Sequence, residues 1–521
     1  LIIKGDDINK DKYMKKIWFF TIILVFATFT NFAKDENSRP NIVIIYADDM
    51  GYGDLNCQNP DSKIPTPNLD KLASEGIRFT DAHSSSGICS PSRFALLTGM
   101  YHWRRQHDIV NSFGKPFFND SDVTLPHVLK QNGYTTACIG KWHLGWDWEF
   151  KNEPSGEVKQ SGRLQKFYNP EDIDWNKPIA GGPLERGFDY YFGDDVINFP
   201  PYAWIENDRI LESPTEIMVI NNVGFETKEG NWEFRPGPKV KEWNPCEVLP
   251  KLTEKAVEWV KNQSPNKPFF LYFALSSPHA PIIPNNEFLG KSDAGGYGDF
   301  MFQTDWVAGQ VLKALADKGF ASNTIVIFSS DNGPEYYAFQ RAEKFGHFSM
   351  GDLRGLKRDV WEGGHRVPLI IKWPGNVKKG AVSDMLFSQI DLMATLTAAL
   401  GIELPGNAAT DSYNLLPGIL GEETDLPARE VLIHNTFEKR WAVRKGNWLY
   451  INDKTGQHTE MPESFKKIRG YTDFETEGLL FNLKDDFEQR VNLFEQYPEK
   501  VKEMERLIIE EKEKGYLLKD K

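Results

Sequence analysis

Apolar residues along the chain fall into two patterns. Ile42-Val43-Ile44-Ile45-Tyr46-Ala47, Thr135 to Ile139, Phe269 to Leu275, Thr324 to Phe328 and the shorter Val367 to Lys372 are runs of strand length with little polar alternation. Such runs predict strands covered on both faces. Between them lie stretches with helical spacing: Pro67 to Ala73, stopping near Gly76; Leu252, Ala256, Trp259 and Val260; and Asp305 to Lys318. Strands alternating with helices predict an α/β fold with a large, mainly parallel sheet flanked by helices. From about Trp146 to Pro250 the periodicity fades and Trp, Pro, Gly and Asn are frequent, which predicts an insertion of loops and short strands. Beyond Pro427 the runs shorten to Val431–Ile433, Trp441–Val443, Trp448–Ile451 and Leu479–Phe481. These predict antiparallel strands, followed by a helix with Pro498 near its start and Val501, Met504 and Leu507/Ile508 facing inward. The expected organisation is a catalytic domain over 34–426 and a smaller C-terminal α+β domain over 427–521.

The first 33 residues read differently. Met14-Lys15-Lys16, then the apolar run Ile17 to Phe29 and Ala33, has the layout of a charged n-region, an apolar h-region and a cleavage point. Leu1 to Tyr13 lie upstream of that start. The apolar run is short for a bilayer span and no cysteine follows it to carry a lipid. The expectation is an exported protein, periplasmic or secreted, with no stable membrane anchor.

The 521 residues suffice for a large core, and the formal net charge of −13 argues against nucleic acid or an anionic membrane surface as a partner. An acidic protein that handles an anionic substrate has to gather its cations locally. The four cysteines are too few for a disulfide framework. Cys138 belongs to an apolar strand and reads as core, and pairing of Cys57 with Cys246 stays open.

Candidate chemistry collects where strands end. Asp48-Asp49 follow the first strand, Lys141 and His143 the second, His279 the third and Asp331-Asn332 the fourth. In parallel sheets ligands bind outside the carboxyl ends of the strands, so these residues are expected on one rim. Aspartates at strand ends mostly cap or turn the chain. Three carboxylates and an amide together offer hard oxygen ligands, which suit Ca²⁺ better than Zn²⁺. Cys89 is placed just before a helix, with Pro91 at the first helical position and Arg93 one turn in. A lone cysteine is usually structural, but one at an electropositive helix start is more often reactive.

Cys89-Ser90-Pro91-Ser92-Arg93, continuing to Leu96-Leu97-Thr98-Gly99, resembles the signature of the formylglycine-dependent type I sulfatases. Lys141-Trp142-His143-Leu144-Gly145, Pro278-His279-Ala280-Pro281, and Gly355-Leu356-Lys357 with Trp361 to Pro368 resemble further segments of that family. The resemblance runs from about Arg39 to about Glu510. It implies an alkaline-phosphatase-like fold and oxidation of Cys89 to Cα-formylglycine (3-oxoalanine) by a formylglycine-generating enzyme. It also implies one Ca²⁺ held by Asp48, Asp49, Asp331, Asn332 and the modified Cys89. On that pattern the aldehyde hydrate attacks sulfur and Arg93 holds it. Lys141 and Lys357 neutralise the sulfuryl oxygens, His279 protonates the leaving oxygen, and His143 deprotonates the second hydroxyl so that sulfate is expelled.

The substrate is less legible. Tyr101 to Arg105, Trp146 to Trp148 and Glu335 to Tyr337 mix aromatic and charged residues. That mixture suits a sulfated carbohydrate, and it equally suits packing at a domain surface. His102, Arg104, Arg105, Trp146, His347 and His365 are the candidate substrate contacts, with His107 beside them. His83, His127, His434 and His458 have no motif behind them and read as structural or exposed. Competing readings are a formylglycine-dependent phosphonate or phosphate ester hydrolase and a catalytically silent carbohydrate-binding relative. Intact Lys141, His143, His279 and Lys357 argue against the silent one. A zinc enzyme of the alkaline-phosphatase type is disfavoured by the shortage of further His and Asp.

Overall fold

The computed structural model describes residues 39–514 apart from 161–162, 220–226, 231–233 and 423–427. The expected leader lies outside the described residues. A ten-stranded sheet forms the centre, in the order Ala381–Ser383, Ile77–Phe79, Leu369–Lys372, Thr324–Ser330, Asn41–Ala47, Phe269–Ala274, Thr135–Gly140, Tyr190–Gly193, Ile205–Glu206, Arg209–Ile210. The five strands from Thr324–Ser330 to Tyr190–Gly193 run parallel. The Leu369–Lys372 strand, expected to extend the parallel set, pairs antiparallel with Thr324–Ser330.

Both faces of the central strands are apolar, and successive side chains serve opposite layers. Val43, Ile45, Leu271, Phe273, Val326 and Phe328 pack with the helices Val248–Lys261 and Gly295–Asp317. Ile42, Ile44, Tyr46, Phe270, Tyr272, Ile325 and Ile327 pack with Cys89–Thr98, Leu125–Gln131 and Leu392–Leu400. Gly295–Asp317 starts well ahead of Asp305, where the spacing had placed it. Tyr297 to Met301, Gln303 and Thr304 are all buried, so no polar face marks that half of the helix.

Val431–Asn435, Trp441–Lys445, Trp448–Ile451 and Leu479–Asn482 form a separate antiparallel sheet in chain order. One face carries Val443, Tyr450 and Leu480 against Val501, Met504 and Ile508 of the Pro498–Lys514 helix, together with Ala95 and Tyr101. The other carries Ala442, Leu449, Ile451 and Phe481 against Val360 and Trp361. Each fully buried side chain of this size contributes about 1.5–3 kcal/mol. The small sheet is therefore anchored to the helix that begins at Cys89 and to the segment that follows Lys357. All four cysteines are free thiols, so Cys57 and Cys246 do not pair. Among the described residues no helix is long and apolar enough to cross a membrane.

Candidate active site

Strand register builds the rim. Ala47 lies opposite Ser330, Tyr46 opposite Ala274, and Ala274 opposite Gly140. The residues that follow each strand therefore emerge side by side. Gly140 takes φ +107°, and a Cβ there would come within 1.9 Å of the Ala274 carbonyl oxygen. Only glycine lets the chain turn so closely into Lys141. Asp49 (φ 63°) and His143 (φ 54°) adopt the left-handed region, which costs about 1–3 kcal/mol in a non-glycine residue and clusters at functional sites.

Cys89 meets this rim from the other side. It is the first residue of the Cys89–Thr98 helix, with Ile88 as N-cap, so Pro91 stands in the third helical position and not the first. The Cys89 thiol donates to Asp48 Oδ1 at 3.6 Å. Ligand atoms of Asp48, Asp49, Cys89 and Asp331 lie within 4.8 Å of one another, and all four residues are buried. Around them stand the cations. Lys141 Nζ donates to Asp48 Oδ2 at 2.6 Å, and Lys357 Nζ reaches Asp49 at 2.6–2.7 Å. Arg93 donates through both Nε (3.0 Å) and Nη2 (2.8 Å) to Asp331 Oδ2. Asn332 commits Nδ2 to Asp49 Oδ1 (2.8 Å) and the Gly333 carbonyl (2.9 Å). Its Oδ1 is buried without a hydrogen-bond partner among the described residues. Three carboxylates and an orphaned amide oxygen fit a hard cation.

Electrostatics assigns protonation states. Burial raises the Cys89 thiol far above its usual range and outweighs the nearby Lys141 and Lys357, so the unmodified side chain stays a thiol. The electropositive helix start does not activate it. Burial works against Lys141 and Lys357, but Asp48 and Asp49 outweigh it and keep both charged. Burial likewise opposes ionisation of Asp49, and Lys357 and His279 overcome it. His143 is held well below its ordinary range by burial, then by Lys141, Arg93 and Arg235. Its Nε2 faces the Val110 carbonyl at 3.0 Å and must carry the hydrogen, which leaves the partnerless Nδ1 as a buried acceptor. His279 Nδ1 donates to the Ala280 carbonyl at 2.5 Å, and Nε2 lies 3.6 Å from Asp49 Oδ2.

The chain as a whole is similar to known proteins. The Sulfatase family model matches residues 40–402, and the model for the C-terminal region of N-sulphoglucosamine sulphohydrolase matches 355–514. The chain belongs to the sulfatase family. It is thus a sulfuric ester hydrolase. It is 32% identical to an N-acetylgalactosamine-6-O-sulfatase of Bacteroides thetaiotaomicron, over 91% of this chain and 93% of that one. The human N-acetylgalactosamine-6-sulfatase is 34% identical over 74% of this chain and 67% of its own length. A solved Bacteroides thetaiotaomicron sulfatase, described with the metabolism of multiple glycosaminoglycans, superposes with a TM-score of 0.73 at 32% identity, covering 91% of this chain and 99% of that one.

In this sulfatase the six candidate substrate contacts are turned into the protein. Arg104 pairs with Asp411 and Arg105 with Asp122. His102 is buried and held down to about 3 by desolvation and then by His107. His347 Nε2 lies 2.8 Å from Asp54 Oδ1, and its Nδ1 accepts from the Lys63 amide. Trp146 is buried beside a separate hollow of about 380 Å³ whose lining includes none of the rim's charged residues. His365 is packed against His83 and His434, which also touch each other. The cleft above Cys89, about 180 Å³, is instead walled by His143, His279 and Lys357 with Phe199, Arg235, Arg358, Phe437 and His458. Arg235 stacks on Phe199 at 3.3 Å, and Phe437 lies 4.3 Å from the His458 ring. No motif marks Phe199, Arg235, Arg358, Phe437 or His458. The one available signal was the mixture of Arg and aromatics in the insertion and beyond Pro427.

Proposed function

We propose that this sulfatase hydrolyses the sulfate ester of a carbohydrate, with a 6-O-sulfated N-acetylgalactosamine as the substrate to test first. The observation that carries the reading is Cys89 held among Asp48, Asp49 and Asp331, under Lys141 and Lys357, on the floor of a cleft. The choice of sugar rests on the identity across most of the chain to relatives named for that ester. Phe437 borders the cleft as an aromatic surface for a sugar ring, and Arg235 together with Arg358, which is paired to Glu335, puts positive charge beside a sulfated or acidic neighbour.

Asp48, Asp49, Asp331 and Asn332 would hold a Ca²⁺, and Cys89 would carry the formylglycine. Together these groups would supply a hydroxyl nucleophile at neutral pH and neutralise sulfuryl charge. The chain's own residues do the rest. Lys141 and Lys357 remain charged in a water-poor pocket, where cations aimed at developing negative charge act most strongly. Arg93 fixes Asp331 and the edge of Asp48, which lies 3.6 Å from its Nη2. His279 keeps Nδ1–H on a carbonyl and can present a proton from Nε2 to the leaving sugar oxygen. His143, neutral with Nδ1 facing inward, can take a proton and so favour release of sulfate. Export through the Met14–Ala33 leader is part of the same proposal.

The test pairs mass spectrometry of the Cys89 peptide, from protein made in a host with the maturation enzyme, with sulfate release from a panel of sulfated and phosphorylated sugars. The expected result is a Cys89 peptide with the thiol replaced by an aldehyde, and release from galactosamine-6-sulfate esters ahead of the matching phosphate esters. Turnover by protein whose Cys89 remains a thiol refutes the nucleophile. Preference for the phosphate ester refutes the substrate class.

A further inference from the structure

Outside the rim, three histidines from distant parts of the chain meet in the interior. His83 ends the Ala82–His83 strand, His365 ends the Glu362–His365 turn and His434 lies on the Val431–Asn435 strand. All three are buried, and one nitrogen from each lies within 4.8 Å of the others. His83 Nδ1 and His365 Nδ1 face each other at 3.1 Å. The outer nitrogens fix the tautomers. His83 Nε2 lies 2.8 Å from Asp81 Oδ1, and His365 Nε2 lies 3.3 Å from the Val360 carbonyl oxygen. A carboxylate and a carbonyl only accept, so both Nε2 atoms carry the hydrogen. In neutral rings both Nδ1 atoms then present lone pairs to each other at hydrogen-bond distance with no proton between them. Such a contact needs a proton or a metal ion between the two nitrogens. His434, buried alongside with its ring face to face on His365 at 3.4 Å, has no partner on either nitrogen among the described residues, and its ring has to turn edge-on to share an ion with His365.

We propose that His83, His365 and His434 form a structural site for a transition-metal ion of the zinc type, distinct from the oxygen-rich rim. Imidazole nitrogen is the donor such ions take, and hard cations do not. A ligating histidine almost always donates its other N–H to a carboxylate or a backbone carbonyl, which is what Asp81 and the Val360 carbonyl provide. Asp81 and Glu362 are each bridged by Arg366 and Arg444, so the surrounding charges cancel and the three-nitrogen set is neutral. One coordination position is left for water or a small anion. The ion would clip together the strand that leads to Cys89, the turn that follows Lys357 and the C-terminal sheet.

The experiment strips the full-length protein with a chelator, reloads it with excess Zn²⁺, desalts it and measures zinc per chain, with X-ray absorption at the zinc edge. His434→Gln and His83→Gln are the variants, neither of which belongs to the catalytic or substrate-binding residues. The expected result is about one zinc per chain with a nitrogen shell at about 2.0–2.1 Å, falling at least about tenfold in each variant. Sulfate release in calcium buffer should change less than about twofold, which shows that the variants fold. A wild-type protein that takes up no zinc overturns the proposal and leaves a proton shared between His83 and His365. Equal zinc in wild type and His434→Gln, or an edge spectrum dominated by oxygen or sulfur, also overturns it by placing the ion at the rim. The spectrum of the wild-type protein decides the matter even if both variants misfold.

Discussion

Arg93 and Arg429 are both buried guanidiniums that grip an aspartate, yet their surroundings differ. Arg429 holds Asp391 with two parallel bonds, Nε to Oδ2 at 2.7 Å and Nη2 to Oδ1 at 2.6 Å. Its remaining hydrogens go to the Asp411 and Val431 carbonyls and to Tyr101. Asp391 in turn accepts from the Ser388 and Tyr413 amides. That cluster is closed. Arg93 spends Nε and Nη2 on one oxygen of Asp331, within a group that leaves Asn332 Oδ1 and His143 Nδ1 without partners among the described residues and opens on a cleft. A satisfied buried cluster fixes a fold, whereas an under-satisfied one at a cleft is arranged for something that arrives later.

The largest effect should come from the open cluster. In matured protein, Cys89→Ala should lower turnover by at least about 10⁴-fold while the melting temperature moves by no more than a few degrees. Steady-state sulfate release alongside calorimetry checks both halves. A variant that keeps its turnover would remove Cys89 from the chemistry, and one that unfolds would make the rim another closed cluster.

Next comes His279→Asn, which should cost about 10²–10⁴-fold in kcat on a sugar sulfate, whose alkoxide leaves poorly without a proton. On an aryl sulfate with an acidic phenol the loss should be much smaller, because that phenolate leaves unaided. Equal losses on the two esters would mean that His279 positions the substrate and donates no proton.

The difference between the clusters also explains what could be read beforehand. The central strands and the residues at their ends were legible, because unbroken apolar runs ending in Asp-Asp, Lys-Trp-His or Asp-Asn-Gly link local pattern to a place in the sheet. Parallel register then brings those ends together with no further information. Tyr101 to Arg105 stayed ambiguous for a physical reason. An arginine that binds a sulfate and one that binds an aspartate have the same sequence, and Asp411, the partner of Arg104, lies 307 residues away. The cleft wall was illegible for the converse reason, since Arg235, Arg358, Phe437 and His458 come from separate loops without periodicity. The Leu369–Lys372 strand was legible over Val367 to Lys372 but its antiparallel direction was not, because direction leaves no mark on a short apolar run.

The closed cluster should show the opposite behaviour. Arg429→Met leaves Asp391 buried without its counter-charge, and should destabilise the fold by about 3–5 kcal/mol. Values of kcat measured well below the melting temperature should stay within about twofold of wild type. A fall in kcat with unchanged stability would erase the distinction between the two arginines.

The smallest effect is a pH dependence at His102, a buried ring two residues before Arg104. Burial and then His107 hold this ring down to about 3 in the folded protein, against about 6.5 in an unfolded chain. Between those values the unfolded chain binds a proton that the native state refuses, so acid favours unfolding. The stability carried by neutral His102 is complete above about pH 6.5 and drains away as the pH falls below it. At pH 5 the loss is about 2 kcal/mol at most. His102→Asn abolishes that titration, so the melting temperature should fall less steeply between pH 7 and 5 in the variant than in wild type, whatever the offset between them at neutral pH. Parallel curves would show that His102 is solvated and titrates alike in both states, and would place it among the groups available to a ligand.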